Sequence, residues 1–194
     1  MRILLIYILL FLYNGMNFAS ARSMEIHRVT QSPKVDGILD DEIWKSCTVY
    51  REFTQSIPEP DKPSRFTSEV RMCYNDHSVF IAAYLEQPDS LCTKQCTARD
   101  MLNNVNADVF SVYLDTYNDH QNGFVFRVSS AGVQQDERLS EGMEYGDQGW
   151  DAVWNSKVHH AENGWHVEIE IPFSAIRFAR QEKMTWGINF LRSV

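Results

Sequence analysis

The sequence has no run of Lys and Arg, no glycine-rich phosphate loop, no Gly-x-Ser-x-Gly and no tandem Cys-x-x-Cys. The first absence argues against a nucleic-acid partner. Eighteen basic residues face 26 acidic ones, for a formal net charge of −8, and nothing is clustered to track a phosphate backbone. The second and third absences remove a nucleotide cradle and an esterase-type nucleophile. The fourth removes the usual structural zinc site, and no histidine pair stands at metal-ligand spacing nearby. Internal repeats and low-complexity tracts are also missing. Cysteine is sparse: Cys47, Cys73, Cys92 and Cys96 are the only four. In an exported chain these could pair, with Cys92 and Cys96 closing the smallest loop, while Cys47 and Cys73 sit in apolar settings that suit buried thiols.

One feature of the first residues speaks for export. Ile3 to Tyr13 carries no charge, and Ala19-Ser20-Ala21 precedes Arg22. The apolar stretch is short for a bilayer span, and its small residues suit a signal peptidase, so residues 1–21 are expected to be a signal peptide. No cysteine ends the apolar run to carry a lipid. The chain is therefore expected in the periplasm, the outer membrane or the extracellular space, with residues 22–194 forming one domain.

Along that domain, period-two alternation is far commoner than helical periodicity. Trp165, Val167, Ile169 and Ile171 alternate with His166, Glu168 and Glu170 between Asn163-Gly164 and Pro172. Such a pattern predicts a strand with one core face and one wet face. Phe110, Val112 and Leu114 alternate in the same way, as do Phe124, Phe126 and Val128, and the Asn- and Asp-rich stretch from Thr116 to Asn122 reads as the turn between them. A second hairpin is expected over Val70–Tyr74 and Val79–Glu86. Further strands are expected near 26–30, 49–53, 153–160 and 186–190. Helical signal is limited to the acidic start of Asp40-Asp41-Glu42-Ile43-Trp44-Lys45 and one turn at Ser174–Ile176. The fold class is all-β: a two-sheet antiparallel β-sandwich of the immunoglobulin-like or jelly-roll type with short helical turns. Trp44, Phe110, Val112, Phe126, Trp165, Val167 and Ile169 are its expected core.

Several blocks have a recognisable order. Asp36-Gly37-Ile38-Leu39-Asp40-Asp41-Glu42-Ile43-Trp44 carries Asp-Gly-x-x-Asp-x-x-x-Trp. It is followed by Arg99-Asp100, Asp108 to Thr116, Gly123 to Val128, Trp150 to Trp154, Glu168 to Pro172 and Trp186 to Phe190. Together these resemble family 9 carbohydrate-binding modules. The match is to the sub-group at the front of bacterial exported proteins that continue into an outer-membrane barrel-like region. In the opening motif Asp36-Gly37 suits a turn, Asp40 suits a helix cap, and Trp44 suits the core.

The resemblance implies a non-catalytic domain that binds a poly- or oligosaccharide and serves carbohydrate catabolism, alone or beside a glycosyl hydrolase. It places Arg127 at the position of the family's sugar-binding arginine, with Asp108, Tyr113, Tyr145 and Trp150 as further candidates for the ligand site. Asn103-Asn104-Val105-Asn106 stands where the family has one clamp tryptophan, Ser111 stands where it has a glutamate, and the closing strand falls beyond Val194. Those departures support a second reading, an interaction domain packed on a downstream membrane β-barrel with no sugar bound. A more distant alternative is a haem-binding sandwich, for which Met72, Met101 and Met143 lack a matching histidine. His159 and His160 point to opposite faces of a strand and cannot share a metal. Glu168 and Glu170 have glycosidase-like spacing, but an exposed sheet face explains them equally. No catalytic residue is assigned. Calcium is the one cofactor with candidates, Asp115, Asn118 and Asp119, although they lack EF-hand spacing.

Overall fold

The computed structural model describes residues 23–142, 146–179, 181 and 183–194. The expected signal peptide and Tyr145 lie outside the described residues. The elements are β1 (His27–Arg28), α1 (Glu42–Ser46), β2 (Val49–Tyr50), β3 (Ser68–Tyr74), β4 (Ser78–Glu86), β5 (Val109–Asp115), β6 (Gly123–Ser129), β7 (Gln134–Leu139), β8 (Asn155–Ala161), β9 (Gly164–Pro172) and β10 (Gly187–Ser193). Single 3-10 turns occupy Asp89–Leu91 and Leu102–Asn104.

Two sheets result. One has six strands in the order β1-β3-β4-β9-β8, with β2 also on β3; the other has four, β10-β5-β6-β7. All pairings are antiparallel except that of β1 with β3. Their inner faces carry the alternating apolar residues read from the sequence. Val79, Ile81, Ala83 and Leu85 of β4 and Trp165, Val167, Ile169 and Ile171 of β9 face Phe110, Val112, Leu114, Phe124, Phe126 and Val128. Burying a large side chain of this kind is worth roughly 1.5–3 kcal/mol, so the register of β4, β5, β6 and β9 is fixed by this layer.

Several expectations change. Trp44 is buried, but in a second cluster with Cys47, Cys73, Phe80 and Ala82 on the outer face of the six-stranded sheet. That sheet is covered on both faces. Glu168 is consequently not wet: it is 1 % exposed, and its carboxylate accepts from the Asp36 N–H at 2.9 Å, the Gly37 N–H at 2.8 Å and Trp44 Nε1–H at 2.8 Å. Gly37 has φ +86°, and a Cβ there would meet the β8 backbone at Val158 at 2.9 Å, so the turn rests directly on the sheet. Asp40 does not cap α1; Asp41 is the N-cap residue, and its carboxylate accepts from the Lys34 N–H instead.

A further difference is β7, which has no apolar alternation to reveal it. Its inward Asp136 is fully buried and accepts from Trp154 Nε1–H, the Ala152 N–H and Arg99. Polar pairing takes the place of apolar burial at this sheet edge. Cys92 and Cys96, the pair that would close the smallest loop, are not bridged, and all four cysteines are free thiols.

Candidate functional site

The outer face of the four-stranded sheet is built differently from its inner face. Strand pairing sets two rows across it. Leu191, Ser111, Arg127 and Gln135 form one, and Asn189, Tyr113, Val125 and Glu137 form the other. Alternation sends each of these side chains away from the core.

Arg127 is the centre of the two rows. Its side chain is 19 % exposed and ion-paired to Glu137. Burial works against the charge, but hydrogen bonds with Tyr113 and Glu137 outweigh it and hold the guanidinium above the ordinary arginine value. Glu137 is held in turn by Gln135 Nε2–H at 2.7 Å and Gln148 Nε2–H at 3.3 Å. Gln135 also accepts the Leu102 N–H at 2.9 Å, so the 3-10 turn over residues 102–104 is tied to the same network. A charged fork fixed on one side by a buried carboxylate presents its remaining donors in a set direction.

Of the sequence candidates, Arg127 and Tyr113 lie together here. Asp108 does not join them. It has the parity of Phe110, is buried, and accepts from the Thr93 N–H at 3.3 Å. Trp150 packs on the inner side against Phe124 and Phe126, with ring centroids 5.0 and 6.0 Å apart. It walls a separate cleft of about 630 Å3 at the end of the sandwich, lined also by Tyr117, Arg138, Asp151 and Arg177. The ion-pair partner of Arg127 is Glu137 on the neighbouring strand. Gln135, Glu137 and Gln148 were not singled out in the sequence, because they fall on or after β7. Asn189 was legible only as part of the Trp186 block.

The calcium candidates serve their own turn. Asp115 accepts from the N–H groups of Asp119 and His120, Asp119 accepts from Gln121 and Asn122, and Asn118 donates its N–H to the Asp115 carbonyl. Among the described residues, no group of three or more His, Cys, Asp or Glu side chains is placed to hold a metal ion. Glu168 and Glu170 are likewise engaged: Glu170 accepts from Ser78 Oγ–H and Asn155 Nδ2–H.

The family model for carbohydrate family 9 binding domain-like proteins matches residues 35–192, from just before the Asp36-Gly37 turn to the end of β10. The chain belongs to this family. Among solved structures, the family 9 module of Caldicellulosiruptor kristjanssonii in complex with cellotriose superposes with a TM-score of 0.56 at 16 % identity, covering 85 % of this chain and 74 % of that one. The same organism's module in complex with glucose gives 0.57 at 16 % identity, with 85 % and 75 % covered. A Bacteroides uniformis protein gives 0.59 at 12 % identity, with 86 % and 81 % covered. At such identities the likeness is one of fold, and it shows the family 9 sandwich. No significant match occurs among curated proteins.

Proposed function

We propose that this chain is a non-catalytic carbohydrate-binding module of an exported bacterial protein, and that it takes sugar on the outer face of β10-β5-β6-β7. The observation that carries this reading is Arg127, a guanidinium fixed by Glu137 beside Tyr113 on the sheet face turned away from the main hydrophobic cluster. Its free donors suit adjacent hydroxyls of a pyranose, and the half-buried Tyr113 ring offers an apolar surface for the C–H face. Exposed Asn189 sits opposite Tyr113 and adds an amide to the same row. The family relatives seen with glucose and cellotriose favour a gluco-configured ligand.

Binding on this face is weak. All five tryptophans pack elsewhere, in the two clusters or beside Phe173 and Phe178, so no indole pair clamps the sugar. Each missing aromatic partner removes on the order of 1 kcal/mol, and the expected affinity is millimolar. Export rests on the uncharged Ile3–Tyr13 stretch and the Ala19-Ser20-Ala21 site. In the periplasm, at the outer membrane or outside the cell, such a module would hold an attached protein to glycan during carbohydrate breakdown.

A second reading, packing on a membrane β-barrel of the same protein, is favoured by β10. This strand lies at a sheet edge and exposes Ile188 and Leu191. An NMR titration of the full chain with glucose and cellotriose, which detects millimolar binding, separates the two. Chemical-shift changes that disappear in Arg127→Ala support the sugar reading, whereas spectra that the sugars leave unchanged support the barrel reading.

A further inference from the structure

The geometry points to Cys47 and Cys73 as a disulfide site that closes across the outer face of the six-stranded sheet. Both are free thiols, and both are buried in one small cluster with Trp44, Phe80 and Ala82. The chain brings them together by a short route. In the β2–β3 ladder Val49 lies opposite Arg71 and Tyr50 opposite Val70. Because the pairing is antiparallel, moving two residues back from Val49 and two forward from Arg71 leads in one direction, to Cys47 and Cys73. His27 of β1 already takes the in-plane place beside Cys73. Cys47, an extended residue directly after α1, therefore meets Cys73 from above the sheet, on the face where both side chains are buried.

The two thiols are also chemically unequal. A hydrogen bond from Cys73 lowers the pKa of Cys47, helped by the Arg71 charge, while the same contact and burial raise that of Cys73. Cys47 is the more exposed of the two and is the attacking sulfur. The oxidant is an external disulfide, whether glutathione disulfide or a disulfide-donating oxidoreductase. The Cys47 thiolate attacks one of its sulfurs, breaks that S–S bond and expels a thiolate, which takes up a proton. Cys73 then loses its proton and attacks Cys47 Sγ in the mixed disulfide. The second thiolate leaves, so two electrons and two protons pass to the oxidant for one new Sγ–Sγ bond. The bridge ties α1 and the Asp36–Trp44 turn to β3, a function the notional Cys92–Cys96 pair could not serve.

The test incubates the purified full chain with glutathione disulfide, alkylates remaining thiols under denaturing conditions and maps peptides without reduction. The expected result is one linked Cys47–Cys73 peptide, Cys92 and Cys96 both alkylated, and a melting temperature raised by roughly 10 °C over the reduced protein. The Cys92→Ser/Cys96→Ser double variant keeps that rise, and Cys73→Ala loses it. Alkylation of both Cys47 and Cys73, a link from either to Cys92 or Cys96, or a melting temperature that does not rise on closure would overturn the assignment.

Discussion

The two outer faces of this sandwich are opposites. Over the six-stranded sheet, the segment from Val29 to Cys47 lies down as a third layer, packs Trp44 on Phe80 and Ala82, and brings three donors to one buried carboxylate, Glu168. Over the four-stranded sheet the cover formed by the described residues is thinner: Ser111, Val125, Gln135 and Glu137 are buried and the Leu102–Asn104 turn is tied to Gln135, but Arg127, Tyr113, Asn189 and Leu191 keep part of their surface in solvent. The difference teaches where function can reside. A face whose polar groups are consumed by the fold holds the fold together, and a face whose polar groups are merely oriented can still offer donors to a ligand.

Removing Glu168 should break the covered face most severely. Glu168→Ala leaves the Asp36 and Gly37 amides and the Trp44 indole without an acceptor, so a loss on the order of 3 to 4 kcal/mol is expected in urea unfolding. A loss below about 1 kcal/mol would mean that the turn finds other acceptors and that the covered face is not locked in this way. Asp136→Ala comes next. It strands the Trp154 indole, the Ala152 amide and the Arg99 guanidinium at the edge of the open sheet, and about 2 to 3 kcal/mol should be lost.

The covered face should also carry a pH signature. Burial raises the Glu168 pKa above its ordinary 4.5, more than its hydrogen bonds lower it. A folded-state pKa above the unfolded one means that the native state binds the proton more tightly. The contribution is fully present below the unfolded value and is lost as pH rises through the folded one. Stability of the wild type relative to Glu168→Gln should therefore fall as pH increases from 4.5, with a slope of no more than about 1.4 kcal/mol per pH unit. A relative stability that rises with pH over that window would reverse the sign assigned to this carboxylate.

The open face should be the most tolerant. Arg127→Ala should cost only about 1 kcal/mol in stability, since Glu137 keeps Gln135 and Gln148 as donors. Unfolding curves that drop by 3 kcal/mol or more would show that Arg127 is a fold-holding residue like Glu168, and the contrast between the faces would fail.

How far the sequence reveals each face follows from how each face is stabilised. Strands β4, β5, β6 and β9 are legible because their inner residues are apolar at period two, and Arg127 is legible as the outward member of one of them. Strand β7 is not, since Gln135, Asp136 and Glu137 are held by hydrogen bonds to residues distant in sequence, and no local pattern records a bond to Trp154 or Leu102. Glu168 misleads for a related reason. Alternation correctly places it opposite Val167 and Ile169, but only the return of the Asp36–Trp44 segment over that face determines that it is dry. Trp150 and Asp108 lie apart from Arg127 because each is positioned by tertiary packing, one against Phe124 and the other against the Thr93 amide, which no local pattern records.

Calorimetric titration of the full chain with cellotriose, repeated on Arg127→Ala and Trp150→Phe, tests the central claim most directly. Millimolar affinity is expected for the wild type, with a loss of at least tenfold in Arg127→Ala and little change in Trp150→Phe. Binding that survives Arg127→Ala but fails in Trp150→Phe would put the ligand in the cleft at the end of the sandwich and contradict the assignment of the open face.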